Sequence, residues 1–422
     1  YCTHPVRLTG RTTTADPDTG EIVGRYDTAG EPDGLLLKAC GQRRATACPS
    51  CAATYRADAY QLIAAGLRGG KGIDAGVADH PAVFATFTAP SFGPVHSRRA
   101  KAGVARRCRP RKGSCRHGRR LGCDRVHDAD DPAVGSPLCG DCFDYRGAVL
   151  WNAHATELWR RTTIAVRRRL AHGVGITTRA FERVAVVSYA KVVEYQRRGV
   201  IHLHVIVRLD PAVDHVPEGL DVMALMMGLR RAAVAVSVPY PTGYEGGACW
   251  GQQLDLQPIT SDSLPVGAVA AYIAKYATKS TDAFGRLDHR LKADTLATLD
   301  VPDHLRRLVH AAWELGADPR LDHLRLRAWA HTLGFRGHWL TKSRHYSTTL
   351  GALRRARAQW AGNGATEGTA TIKDWQYTGS GWANPGDALF ASTAATHQAD
   401  ARTHARHLRR EEENDGQAAA HP

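Results

Sequence analysis

Two long β-branched runs, RVAVVSYAKVVEYQ (Arg183 to Gln196) and VIHLHVIVRL (Val200 to Leu209), are separated only by Arg197-Arg198-Gly199. No other feature of the chain restricts the fold so tightly. Val, Ile and Tyr favour extended backbone, and so short a connection cannot carry the crossover that parallel strands need. The two runs must form an antiparallel hairpin. Side chains alternate along a strand, so His202 and His204 share one face and Leu203 takes the other. Glu194 and Gln196 share a face of the partner strand, and the tight turn folds that pair back beside the histidines. Two imidazoles and a carboxylate, with Gln196 close by, suit Mg²⁺ or Mn²⁺ with positions left open for phosphate oxygen. An isolated His-x-His more commonly satisfies hydrogen bonds in a core; the acid on the adjacent strand is what favours an ion.

Charge narrows the partner. The 422 residues carry 56 Lys+Arg against 41 Asp+Glu, a formal net charge of +15. Of the bases, 46 are Arg and 10 are Lys, an excess that suits bidentate binding of phosphate oxygens. A nucleic acid or another acidic partner is favoured over a merely solubilising charge. No apolar run approaches the roughly 18 residues of a membrane span. The chain opens on Tyr1 with no signal-like segment, so the encoded start is expected upstream.

Nine of the ten cysteines lie in the first 142 residues. Cys48-Pro-Ser-Cys51 and Cys139-Gly-Asp-Cys142 have the C-x-x-C spacing that lets two thiolates meet one tetrahedral ion. Structural zinc, at one or two sites, is favoured over a disulfide framework or free thiols. Cys40, Cys48 and Cys51 form one group, completed by Cys2 or His4. Cys139 and Cys142 draw two further ligands from Cys108, Cys115, His117 and Cys123.

Along the chain, periodicity predicts a helix over 53–67, a strand VFATFT (Val83 to Thr88) and a helix over 151–172. The hairpin follows, then a helix over 219–236, a strand over 249–259 and a helix starting near Ser263. The first six of these elements after residue 80 read β-α-β-β-α-β. This is an α+β, ferredoxin-like antiparallel sheet with an added helix, a Cys-rich zinc-binding amino-terminal region and a helical, basic carboxy-terminal part. The expected divisions are a loose arm over 1–34, a Cys-rich helical region over 35–80 and a core over 81–285. That core carries an inserted basic, Cys-rich segment, 98–145. A basic helical region over 286–360 and an irregular, disordered tail over 361–422 complete the chain.

The added helix carries Tyr272 and Tyr276, four apart and hence on one face, each followed three residues later by a lysine, Lys275 and Lys279. A phenol is a weak nucleophile unless a nearby charge favours the phenolate, and a lysine one turn on can supply that charge. Such a pair alone is more often core packing; it gains weight beside a metal triad.

The succession VFATFTAPS, EYQRRGVIHLHVIV and YIAKYATKSTD is similar to the three signature motifs of HUH rolling-circle replication initiators. The chain more closely resembles the RepSA-type initiators of actinomycete plasmids and integrative conjugative elements. HPAVFATFTAPSFGPVH, PLCGDCFDYRGAVLWNAHATELWRRTT and GFRGHWLTKSRHYSTTLGALR look like stretches typical of that group, and the likeness spans residues 35 to 358. The resemblance implies an HUH-type nickase of the bacterial cytoplasm that cuts one strand of origin DNA, leaving a 5′-phosphotyrosine and a 3′-OH primer. It implies His202, His204 and Glu194 as ligands of the catalytic Mg²⁺ or Mn²⁺, and Tyr276 as nucleophile. Where some relatives have a glutamate four residues earlier, this chain has Tyr272, as in two-tyrosine phage initiators. Origin DNA, duplex and single-stranded, is the implied partner, with a host helicase and DNA polymerase. Arg106, Arg107, Arg109, Arg111, Arg197, Arg198, Arg336, Lys342 and Arg344 are the expected phosphate contacts. The rival readings are a non-catalytic, zinc-stabilised DNA-binding regulator, a conjugative relaxase and an HUH transposase.

Overall fold

The computed structural model describes residues 1–213, 217–260, 264–279, 287, 289–360 and 368–419. From the amino end come strands β1 (Val6–Ala15), β2 (Ile22–Asp27) and β3 (Leu36–Lys38), then helix α1 (Pro49–Arg68). Strand β4 (Ala82–Thr88) precedes a small hairpin, β5 (Arg99–Lys101) and β6 (Val104–Arg106), and the long helix α2 (Tyr145–Gly173). Next are α3 (Thr178–Val184), β7 (Ala185–Tyr195), β8 (Ile201–Pro211) and α4 (Val222–Ala235). The paired β9 (Ser237–Pro239) and β10 (Gly247–Cys249), β11 (Leu254–Pro258) and α5 (Val266–Lys279) follow. The chain ends with α6 (Ala293–Leu296), α7 (Asp303–Leu315), β12 (Leu340–Lys342), α8 (Leu350–Trp360), β13 (Ala370–Ser380) and α9 (Pro385–Ala419). Among the described residues no helix is long and apolar enough to cross a membrane. Two compact units result, one of residues 63–347 and one of 1–62 with 348–422.

The larger unit is built on a five-stranded antiparallel sheet in the order β11-β4-β8-β7-β12. Its first four strands, with α2 and α4, follow the split βαβ pattern, the fourth, first, third and second strands lying side by side. The hairpin forms as its short connection requires, with Glu194 opposite His202 and Val192 opposite His204. Gly199 in the turn has φ +76°, and a Cβ there would meet Leu308 Cδ1 at 2.2 Å, so only glycine fits. The buried Asn152 of α2 pins the same turn, donating to the carbonyls of Gly199 and Leu333 and accepting from the Ile201 amide.

Alternation along β8 divides the core. Ile201, Leu203, Val205, Val207 and Leu209 join a cluster with Trp151, Leu158 and Leu170 of α2 and Leu225 and Leu229 of α4. The opposite face carries His202 and His204. There α5 packs against β7, burying Val269, Ala270, Ile273, Ala274 and Ala277 at helical spacing. Further along that face, Arg208 is buried among Asp210, the Tyr346 carbonyl and the Gly66 carbonyl.

Three expectations about the outlying segments change. Residues 340–342, expected to be helical, are the edge strand β12, and α7 buries Leu305, Leu308 and Leu315 in the main core. A single Leu-Thr-Lys is too short to show period 2 in sequence, so only the sheet edge reveals it. The supposed loose arm forms β1 and β2, and the supposed irregular tail forms β13 and α9. In the smaller unit β1 pairs with β13, β2 and β3, with Val6 opposite Ser380. β1 is Thr- and Arg-rich and half-buried almost throughout, while β2 and β13 are largely accessible, so no buried–exposed alternation marked them.

Candidate functional site

The hairpin and α5 bring five expected side chains together. Glu194 Oε2 lies 2.8 Å from His202 Nε2 and 3.1 Å from His204 Nε2, a set of donor atoms converging on one point. His204 Nδ1 lies 3.1 Å from Thr86 Oγ1, its direct neighbour across the β4–β8 ladder. An ion held at Nε2 would take that nitrogen's lone pair and leave Nδ1 to donate to the Thr86 hydroxyl. The ring of His204 stacks on Phe84 at 6.0 Å. Burial would raise the Glu194 carboxyl, but hydrogen bonds from both histidines outweigh it and hold the group down at about 2. Burial likewise lowers His204 despite its bond to Glu194, which favours the neutral imidazole. An anionic carboxylate and a neutral imidazole are the states that bind a divalent cation. Gln196 is not part of this group: it lies beyond the end of β7, and its Oε1 accepts a hydrogen bond from Arg198 at 2.7 Å.

Tyr272 points its hydroxyl at His204 Nε2, 3.4 Å away, and packs edge-on to Phe84. Tyr276 lies one turn on, its ring 4.5 Å from that of Tyr272 and 5.5 Å from that of His204. Burial raises both phenols, and Glu194 raises both further. The neighbouring phenol acts on the two in opposite senses, raising Tyr272 and lowering Tyr276. Lys275 places its ammonium 5.5 Å from the centre of the Tyr276 ring. The side chain of Lys279 lies outside the described residues.

Among the described residues nine of the ten cysteines, with three histidines, gather into three tetrads, where one or two zinc sites were expected. Cys2, Cys40, Cys48 and Cys51 form one; His96, Cys108, Cys123 and His127 a second; Cys115, His117, Cys139 and Cys142 a third. The sulfurs of Cys40 and Cys51 are 3.6 Å apart and those of Cys2 and Cys48 3.9 Å, far beyond a disulfide bond of about 2.05 Å. All ten cysteines are free. The partition left open by the sequence is resolved, with Cys2 and not His4 closing the first group. His96 and His127 escaped notice because neither sits in a C-x-x-C or H-x-H; the spacing Cys123-x-x-x-His127 was the available signal. Thr86 was equally missed, although strand alternation in VFATFT puts it on the face of Phe84.

The basic side chains divide into accessible and occupied ones. Arg106, Arg107, Arg111 and Arg344 are exposed. Arg198 is not available as expected: its guanidinium holds the carbonyls of Ala89 and Pro90 together with Gln196, and burial pulls it down to about 10. Lys342 is half-buried and donates to the carbonyls of Ser343 and Arg344, and Arg336 donates to that of His323. Arg197 and Arg109 line an open cleft of about 980 Å³ beside the hairpin turn, with Arg98, His96 and Trp250. The buried Nε of Arg109 has no hydrogen-bond partner there.

A sequence model described as RepSA, replication initiator protein, pSAM2, matches residues 1–396. A replication initiator protein of Streptomyces ambofaciens is 44% identical over 419 residues, covering 93% of this chain and 86% of that protein. No solved structure matches. A match of this extent, on a chain with this arrangement of histidines, acid and tyrosines, places the protein in the RepSA family of replication initiators.

Proposed function

We propose that this replication initiator is an HUH-type endonuclease that nicks one strand of its origin and retains the 5′ end on a tyrosine. The reading rests on one observation: Glu194, His202 and His204 converge on a point that the Tyr272 hydroxyl also approaches, with the Tyr276 ring beside it. Glu194 and the two Nε2 atoms would hold Mg²⁺ or Mn²⁺, which when bound polarises a phosphate oxygen and neutralises charge developing on the phosphoryl group. Tyr276 attacks phosphorus in line as the phenolate, its proton leaving to solvent. The P–O3′ bond breaks, the 3′ oxygen takes up a proton, and the 5′ phosphate remains esterified to the phenol. Tyr272 lies beside the attacking phenol with its hydroxyl toward His204, and Lys275 supplies nearby positive charge. The phosphotyrosine keeps the energy of the broken bond, so a later 3′-OH can rejoin the strand without ATP. The free 3′-OH serves as primer for a host polymerase, with a helicase opening the duplex ahead, in the bacterial cytoplasm. The three Cys/His tetrads we assign to zinc, the ion that thiolate-rich tetrahedral sets favour.

Single-stranded origin oligonucleotide incubated with Mn²⁺ tests this reading. The wild type is expected to give a covalent protein–DNA adduct that peptide mapping locates at Tyr276. Tyr276→Phe abolishes it, and Tyr272→Phe slows its formation. Normal nicking by both single variants would refute the assignment. A protein that shifts supercoiled origin plasmid in a gel yet never relaxes it would be a regulator instead.

A further inference from the structure

The two tetrads between β4 and α2 take their ligands from interleaved stretches of chain. His96 and Cys108 begin one set, Cys115 and His117 begin the other, Cys123 and His127 complete the first, and Cys139 and Cys142 the second. The loop closed by Cys108 and Cys123 therefore contains two ligands of the other set, and the loop closed by His117 and Cys139 contains two of the first. Neither set can be assembled without ordering chain that belongs to its neighbour.

The donor atoms have the spacing of tetrahedra. Metal–sulfur bonds of about 2.3 Å and metal–nitrogen bonds of about 2.0 Å give edges of roughly 3.3–3.8 Å. The edges here are 3.2 Å for His96 Nδ1 to His127 Nε2 and 3.5 Å for Cys123 Sγ to His127 Nε2. In the other set they are 3.2 Å for His117 Nδ1 to Cys142 Sγ and 3.6 Å to Cys139 Sγ. The remaining nitrogen of His127 is held by Asp131 at 2.7 Å, the carboxylate–histidine support common at zinc, and the Cys108 sulfur receives the Ser97 amide at 3.1 Å.

Apart from backbone pairing and exposed ion pairs, the segment has little to hold it folded. Over residues 98–130 the buried positions are Cys108, Gly122, Cys123 and His127, of which all but the glycine are ligands. Twelve Lys/Arg fall between Arg98 and Arg125 against one acid, Asp124, so mutual repulsion opposes collapse. A segment with no apolar core must draw its folding energy from elsewhere, and here the ligand sets are what is available.

We infer that residues 96–142 form a cross-braced module holding two zinc ions, each of which stabilises the binding of the other. The inference rests on the zinc assignment above and adds to it the interdependence. The module is tied to the hairpin turn, where Arg197 donates to the Asp131 carbonyl at 3.0 Å, and to α7, where Arg307 pairs with Asp141 at 2.9 Å. Arg98 and Arg109 of the module thereby line the cleft beside the hairpin turn.

Zinc content and release test it on the full-length protein, by native mass spectrometry and titration with a chromogenic chelator. The wild type is expected to hold three zinc ions. Cys123→Ser and Cys139→Ser, one in each set, should each weaken the surviving ion of the module at least tenfold and expose the 98–125 loop to trypsin. Cys48→Ser should remove one ion and leave both ions of the module unaffected. If each module variant loses a single ion while the other keeps its wild-type affinity, the sets are independent fingers and the interdependence is wrong. A wild type purified in zinc-containing buffer that carries no zinc would overturn the zinc assignment itself, a different result.

Discussion

Thr86 should set how tightly the nicking site holds its divalent ion. Its hydroxyl is the hydrogen-bond partner of His204 Nδ1 at 3.1 Å, and with an ion bound at Nε2 it would accept from that Nδ1. Thr86→Val removes the oxygen and keeps the shape and the strand preference. Losing such a support costs about 10–100-fold in metal affinity, or roughly 1.4–2.7 kcal/mol. The smaller value is expected here, because the imidazole plane is also held by stacking on Phe84, 6.0 Å away and tilted by only 5°. The Mn²⁺ concentration giving half-maximal cleavage of an origin oligonucleotide should therefore rise about tenfold. The rate at saturating Mn²⁺ should stay within about twofold, since no group touching the strand has changed. Thr86→Ser keeps the acceptor and should titrate like the wild type. An unchanged Mn²⁺ midpoint in Thr86→Val would refute the reasoning, as would a lost maximal rate at an unchanged midpoint.

Two stability predictions accompany the tyrosine and zinc experiments. Arg208→Met leaves Asp210 and the carbonyls of Gly66 and Tyr346 without their buried partner and should destabilise the larger unit by about 3–5 kcal/mol in chemical denaturation; a loss below about 1 kcal/mol would show the network to be dispensable. Lys191, buried in β7, is pushed down by burial from 10.5 to about 8, so below pH 8 the folded state bears the cost of an enclosed charge. Between pH 8 and 10.5 the unfolded chain still holds a proton that the folded chain has released, and stability should rise with pH across that window. Lys191→Met should add about 1–3 kcal/mol at pH 7 and abolish that rise, as urea midpoints measured from pH 7 to 10.5 would show.

How much of this molecule its sequence reveals depends on how local the determining interaction is. The hairpin needed only two runs and a three-residue turn, so its register, and with it the placement of Glu194 against His202, was legible. The face of α5 was legible for the same reason, since Tyr272 and Tyr276 are one turn apart. That this face lies over the histidines was not readable from spacing; it came from the resemblance. Gln196 was misplaced because alternation was carried one residue beyond the strand, into the turn where Arg198 captures its amide. Arg198 misled similarly: charge marks an arginine as a phosphate contact, but three protein oxygens around its guanidinium show it to be a structural strut.

The rest was hidden because its partners are remote. β1 finds β13 across most of the chain, and neither strand alternates buried with exposed positions, β1 being half-buried almost throughout and β13 largely accessible. The tetrads mix both cases. C-x-x-C is local, and Cys48, Cys51, Cys139 and Cys142 were paired at sight; His96 and His127 are separated by 31 residues and meet at 3.2 Å only once the chain between them is ordered. A ligand set that is unreadable locally is also one that cannot form locally. Its assembly requires the intervening segment to fold, and a segment that buries little beyond its own ligands folds only as they assemble. The feature that concealed the module in the sequence is thus the one that couples its two sites.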